Sequence, residues 1–367
     1  MERDLDPHIT KIFKILGTAC KQSYSLCYKA IHRKTGETVL LKKIFDAYAN
    51  LIDARITYER AMFHQEFFGH ENIVQLLGII ESENKKDIYF VYEFMETSLF
   101  QAIQSNVLEE IHKRYIIYQI LKALKSIHSA QLVYLGLKTS KILLNSDCSA
   151  KLQGSNFSFT VSSLEPNEPK WFDVGSTFRW YAAPEIFLGS RCCTSAADMW
   201  SVGCVLGEMI IGKPLFASTS LMNHMERVFQ VIGKPTAEDI EEIQSEYIYE
   251  LLEVFEGCST QKKKSSFQAF FPGVSEITLD FLRKLLAFNP KKRLTVDDAL
   301  KHKFLEEFSG IEELEKDSQQ SAMIDLLDDK AKTPEDYRQS LIRNRLYLTE
   351  HPAIVSEKMM HKHRDFR

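Results

Sequence analysis

The stretch Leu132-Val133-Tyr134-Leu135-Gly136-Leu137-Lys138-Thr139-Ser140-Lys141-Ile142-Leu143-Leu144-Asn145 decides how the rest of the chain is read. Apolar residues frame it at both ends. Its polar middle carries Lys138 and Lys141 and no carboxylate. It has the outline of a loop between two short apolar segments.

Immediately upstream, Ile111, Tyr115, Tyr118, Leu121, Leu124 and Ile127 recur at helical spacing, which predicts an amphipathic helix from Ile111 to Ala130. Downstream, Ala150-Lys151-Leu152-Gln153-Gly154-Ser155-Asn156 reads as a strand and turn, and a long loop runs on to Ala183-Pro184-Glu185. Asp198-Met199-Trp200-Ser201-Val202-Gly203-Cys204 opens a buried helix, which Gly212-Lys213-Pro214-Leu215-Phe216 ends. A further helix follows Asn289-Pro290-Lys291-Lys292-Arg293, with Asp297 or Thr295 as its cap. Residues 309–330 are acidic. Thr333-Pro334-Glu335-Asp336 starts a helix that extends to about Leu348.

Before residue 96 the period is different. Residues 10–48 read as short strands, with Tyr28 to His32 and Thr38 to Ile44 flanking the turn Lys34-Thr35-Gly36-Glu37. The first strand of this pair, at Tyr28 to His32, is expected after Leu16-Gly17. Residues 50–68 carry helical spacing, and two more strands follow over 73–80 and 87–95. A small five-stranded sheet with one helix therefore precedes a mainly helical remainder.

Composition narrows the function classes. The 367 residues suffice for one large or two medium domains. A formal net charge of −4 leaves no global basic field for nucleic acid. No apolar run approaches the roughly 18 residues of a membrane span. Met1-Glu2-Arg3-Asp4 lacks a signal-peptide pattern. The seven cysteines show no CxxC spacing, so reduced thiols and a cytoplasmic location are expected. A nuclear or ciliary location is not derivable from the residues.

The central stretch resembles the catalytic loop of protein kinases, H-R-D-L-K-x-x-N followed by I-L-L-N. Val39-Leu40-Leu41-Lys42 resembles V-A-I-K, Gly154-Ser155-Asn156 stands where D-F-G belongs, and Ala183-Pro184-Glu185 matches A-P-E. Asp173 to Tyr181 resembles the T-E-Y-V-A-T-R-W-Y segment of MAP kinases, with Asp173 and Gly175 at the two phosphorylated positions. Lys42 to Tyr48, Asp53-Ala54-Arg55 and Gln65-Glu66-Phe67 are similar to the atypical extracellular-signal-regulated branch. The resemblance spans roughly residues 10–345. It implies an α+β, bilobal kinase fold: a β-rich small lobe over 10–95, a helical lobe over 96–308, and a C-terminal extension over 309–367 with one helix.

The same resemblance implies which residues should act. In the family register the proton-accepting Asp is Gly136, the two metal ligands are Lys141 and Gly154, and the glutamate that pairs the strand lysine is Arg60. The three glycines of the phosphate loop become Cys20, Gln22 and Ser25. The cofactor-binding set implied is Lys42, Lys138, Lys141, Tyr92, Glu93 and Met95, with no metal ligand among them. Glu59 could meet Lys42 only if its helix rolls, because one residue is about 100° of rotation. Residues implied to hold the fold are present: Asp198, Glu185, Arg293, Pro184, Trp200 and Gly203.

The expectation is a pseudokinase, a signalling scaffold or regulator, with nucleotide or ATP binding that needs no Mg²⁺. The alternative is a weakly active ATP-dependent serine/threonine kinase with a metal site rerouted through Asp147 or Glu59. Expected partners are signalling proteins or docking peptides on the large lobe, where Glu306, Glu307, Glu312 and Glu313 supply acidic charge. No nucleic acid and no membrane span are expected.

Overall fold

The alternating pattern before residue 96 folds into one antiparallel sheet. Its strands are β1 (Phe13–Gln22), β2 (Ser25–His32), β3 (Thr38–Ile44), β4 (Leu76–Glu81) and β5 (Ile88–Glu93), in the order β1-β2-β3-β5-β4. The computed structural model describes residues 5–22, 24–154, 159–160, 179–188, 194–243, 267–310 and 333–343. The chain divides into two units, Met1–Met95 with Ala322–Arg367, and Glu96–Ser321.

Strand alternation gives the sheet of the first unit two different faces. Phe13, Tyr28, Ala30, Val39, Leu41, Tyr89 and Val91 lie on one, packed with Leu5 and with Ile9 of a short helix α1 (Pro7–Ile12). The other face carries the cross-strand row Cys20, Cys27, Lys42, Phe90 and Ile79. Helix α2 (Leu51–Glu66) begins where Asn50 Oδ1 accepts from the Asp53 amide at 2.9 Å. It packs on that second face: His64 stands edge-on to Tyr92, with ring centroids 5.0 Å apart.

A helix at Pro334–Arg343 closes the unit against α2. Thr333 caps it through Asp336, Tyr337 meets the Tyr58 ring at 5.4 Å, and Leu341 is fully buried. Arg338 bridges Glu81 and Glu335. The expected continuation to Leu348 lies outside the described residues.

Two expectations need correction here. The first residues are helical before they are extended, because Pro7 sits in the first turn of α1, where its missing N–H costs nothing. Strand β1 runs through Leu16-Gly17, with a register shift between Ile15 and Gly17 that marks a bulge, and β2 follows them as expected of the strand at Tyr28 to His32. The cysteines are not all reduced: a disulfide joins Cys20 to Cys27, which face each other across β1 and β2.

The second unit is mainly helical. After a two-residue strand β6 (Thr97–Ser98) come helices α3 (Leu99–Gln104) and α4 (Glu110–Ser129). The buried stripe of α4 includes Ile117, Ile120, Leu121, Leu124 and Ile127. Short strands β7 (Leu132–Val133), β8 (Ile142–Leu144) and β9 (Ala150–Leu152) bracket the central loop.

The helix Ala196–Ile211 is buried along almost its whole length. Gly203 permits this, since a Cβ there would stand 2.7 Å from Leu286 Cδ2. Gly212 ends the helix at φ 75°, a left-handed turn that favours glycine. Thr295, not Asp297, caps the helix Val296–Leu300, accepting from the Asp298 amide at 3.1 Å. The segment Asp173 to Phe178, the lysine run 262–264 and residues Glu312 and Glu313 lie outside the described residues. Among the described residues no helix is long and apolar enough to cross a membrane.

Candidate functional site

In the larger unit the central loop is held from below by one carboxylate. Asp198 is fully buried and accepts from the amides of Tyr134 and Leu135, each at 2.8 Å. His128 Nε2 lies 2.9 Å from the same carboxylate. These bonds hold Leu135 at φ 51°, a left-handed conformation that disfavours a branched apolar side chain by roughly 1–2 kcal/mol.

A second clamp holds the buried ends of the following segments. Arg293 donates from both terminal nitrogens to Glu185, at 2.5 and 2.6 Å, and also to the carbonyls of Ala287 and Phe288. Its guanidinium lies 5.2 Å from the Trp200 ring. Beside it, Tyr181 donates to Glu208 at 2.5 Å, and Thr139 of the loop donates to Glu208 at 3.2 Å. Burial raises the Glu208 carboxyl above its ordinary value, against the two hydrogen bonds that lower it.

The upper side of the loop is different. Tyr134 is buried, and its hydroxyl donates to the backbone carbonyl of Gln153. Burial, with the Asp198 charge beside it, pushes that hydroxyl well above the ordinary tyrosine range. The Gln153 amide donates to the Lys141 carbonyl at 2.9 Å, and Lys141 Nζ donates to Gln153 Oε1 at 3.2 Å. Tyr134, Lys141 and Gln153 thus knit the loop to the end of β9, one residue before the buried Gly154. Half-buried Lys138 stands on the same loop, and burial lowers its pKa. Gly136, Lys138 and Lys141 share the loop, and Gln153 ties Gly154 to them.

These groups do not fit a magnesium ion. Mg²⁺ takes oxygen ligands in a near-octahedral set, usually with one or two carboxylates. Gly136 and Gly154 offer no side chain. Lys141 brings an ammonium, and the amide oxygen of Gln153 already accepts from it. Asp147 lies in an exposed turn, where hydrogen bonds from the Ser149 side chain and from its amide, the latter at 2.8 Å, hold its carboxyl below the ordinary range.

The smaller unit carries the remaining expected residues. Lys42 is only 7% exposed and shares its sheet face with Cys27 and Phe90. Its ammonium lies 5.9 Å from the ring of Tyr24. Lys43 points to the opposite face, as alternation requires, and meets Asp87 at 3.2 Å with both side chains buried. Glu59 pairs with Arg55 at 2.7 Å, four residues back on the same helix. Arg60 is buried, and its charge opposes the upward shift that burial imposes on Tyr92. Glu93 Oε1 accepts from the Gln75 amide at 2.7 Å, and Met95 is buried. Where β1 ends and β2 begins, Ser25 donates to Gln22 Oε1 at 3.1 Å.

Gln153 and Tyr134 are the site residues that sequence reasoning passed over. The available signal was a polar side chain closing an apolar strand one residue before a glycine, with a tyrosine in the adjoining loop.

Residues 14–305 match the protein kinase domain family. The chain is 44% identical over 308 residues to "Extracellular signal-regulated kinase 2" of Dictyostelium discoideum, covering 83% of this chain and 82% of that protein. It is equally 44% identical to "Mitogen-activated protein kinase 15" of Xenopus laevis, of whose length it spans 52%. A "Mitogen-activated protein kinase" of Fusarium vanettenii is 37% identical over 318 residues, 85% of this chain and 86% of that protein. The chain belongs to the MAP-kinase branch of the protein kinase family.

Proposed function

We propose that this chain is a MAP-kinase-like pseudokinase, a regulator that works by binding signalling proteins. One observation carries the reading. Asp198 holds the catalytic-loop backbone as the family requires, yet the reacting positions are Gly136 and Gly154, and Lys141 donates to Gln153 in place of a metal ligand. A general base is worth about 10²–10⁴ in rate. Phosphoryl transfer depends further on metal ions that neutralise developing charge. An ammonium in that position works against a cation and for an anion.

The binding expected of the loop is therefore metal-independent. Lys138 and Lys141 favour a polyphosphate such as ATP, and each of the substitutions at 136, 141 and 154 makes the position more positive than the family residue. Partner binding is assigned to the larger unit, where Glu306 and Glu307 are exposed and Glu307 meets Arg114 at 3.2 Å.

A thermal melt with ATP tests this. A shift in EDTA at least as large as in Mg²⁺ is expected, and a shift that requires Mg²⁺ contradicts it.

A second reading is favoured by the relatives, which are named as kinases. It makes the chain a weakly active ATP-dependent serine/threonine kinase. Incorporation of labelled phosphate into a generic substrate separates the two. Robust transfer that Lys42→Met abolishes establishes the second reading, and no transfer leaves the first.

A further inference from the structure

We propose that Cys20 and Cys27 form a reversible two-electron redox site at the tip of the β1–β2 hairpin, which stiffens the tip when oxidised and frees it when reduced. The residues face each other in the strand register, with Cα atoms 4.9 Å apart. That separation lies inside the usual 4.4–6.8 Å range for a disulfide, so the bond is within reach across the two strands.

Accessibility and charge favour exchange. Cys20 is exposed on β1, an edge strand of the sheet, so a small thiol reaches it, whereas Cys27 is buried. Exposed disulfides are the labile ones, and buried ones resist reduction. Lys42 stands directly opposite Cys27 on β3, on the same face. Opposed side chains have Cβ atoms about 4.5–5.5 Å apart, and a nearby ammonium stabilises a thiolate. The free cysteines among the described residues are Cys148 and Cys204, and burial pushes the Cys204 thiol well up, away from reactivity.

The position gives the chemistry a consequence. In the kinase register Cys20 takes the place of the first phosphate-loop glycine, and Cys27 that of the valine closing the same motif. A bond between them closes a ring around the hairpin tip, where Gln22 pairs with Ser25.

With glutathione disulfide as oxidant the step balances. The Cys20 thiolate attacks one glutathione sulfur and displaces glutathione thiolate. The Cys27 thiolate then attacks Cys20 Sγ and displaces the second. Two electrons pass from the cysteines to glutathione, and the two thiol protons end on the two released glutathiones.

The test uses the full chain, equilibrated across ratios of reduced to oxidised glutathione, quenched in acid, alkylated and digested with trypsin. Cleavage after Lys21 separates the cysteines into peptides Ile15–Lys21 and Gln22–Lys29. The expected result is a linked pair of these peptides that replaces the two alkylated forms as the buffer becomes oxidising, and that reverses with dithiothreitol. Amide hydrogen exchange over residues 15–29 should slow several-fold in the oxidised state, and Cys20→Ser should exchange like the reduced chain in every buffer. Glutathione attached to Cys20 alone, full alkylation at every ratio, a link that no ratio opens, or equal exchange in both states would each overturn the proposal. None of these readouts depends on whether a nucleotide binds.

Discussion

The two sides of the central loop are built in opposite ways. Below, Asp198 takes two backbone amides at 2.8 Å, and nearby Glu185 and Arg293 form a bidentate buried pair. Above, Gly136 has no side chain, and Lys141 reaches back to Gln153. The lower contacts satisfy buried polar groups that would otherwise cost the fold free energy. The upper positions of a kinase act on a ligand, and folding does not depend on their chemistry. A chain can therefore keep the shape of an enzyme while its reacting positions carry other residues.

The largest effect should come from breaking the lower side. Arg293→Leu leaves the Glu185 carboxylate buried without its cation, a change that costs about 3–5 kcal/mol. Urea unfolding should show that loss, and the double variant Glu185→Leu, Arg293→Leu should recover part of it. A single variant as stable as the parent would mean that the frame does not depend on this pair.

Next in size is a test of whether the smaller unit obeys the same rule. Leu341 is fully buried in the helix that packs on α2. Leu341→Ala should cost about 2–5 kcal/mol, read as a lower melting temperature. An unchanged melt would show that this helix adds nothing to the unit.

A third effect depends on pH. His224 is fully buried beside the Phe216 ring, and burial lowers its pKa from 6.5 to about 4, helped by the charges of Arg179 and Arg227. The unfolded chain therefore binds a proton that the folded chain refuses. The resulting stability is fully present above pH 6.5 and is lost as pH falls towards 4, by about 3 kcal/mol in all. His224→Gln should flatten that part of the stability profile. An identical acid slope in the variant would assign the loss to other groups.

The smallest effect belongs to the upper side. Gly136→Asp should move stability by less than about 0.5 kcal/mol, as for a substitution outside the buried frame. It should also restore no phosphate transfer, because Lys141 and Gly154 still replace the metal ligands. Transfer on this single change would collapse the contrast between the two sides.

The buried frame was legible only through the family resemblance, which Asp198 in the first turn of an apolar helix, Glu185 after Ala183-Pro184 and Arg293 after Asn289-Pro290 carry. The strands and α2 were legible from their periods. What escaped depends on contacts between distant segments. Nothing in the spacing of Tyr134 and Gln153 shows that a hydroxyl meets a carbonyl. The cysteines at 20 and 27 have no recognised spacing, and only the strand register opposes them. Glu59 has a partner on its own helix, Arg55, which a search for a lysine on a neighbouring strand does not reveal. Helix α1 was hidden by its brevity.

Gln153 is held at its amide, its carbonyl and its side chain. A hydrogen bond contributes about 0.5–1.5 kcal/mol net, so releasing all of them costs on the order of 3 kcal/mol. By that measure the released form is held to below about 1% of molecules. A ligand that works by population shift needs a second conformation within reach of its binding energy. At this end of the loop there is one dominant conformation, and whatever docks there meets a fixed surface whose shape is set before the partner arrives.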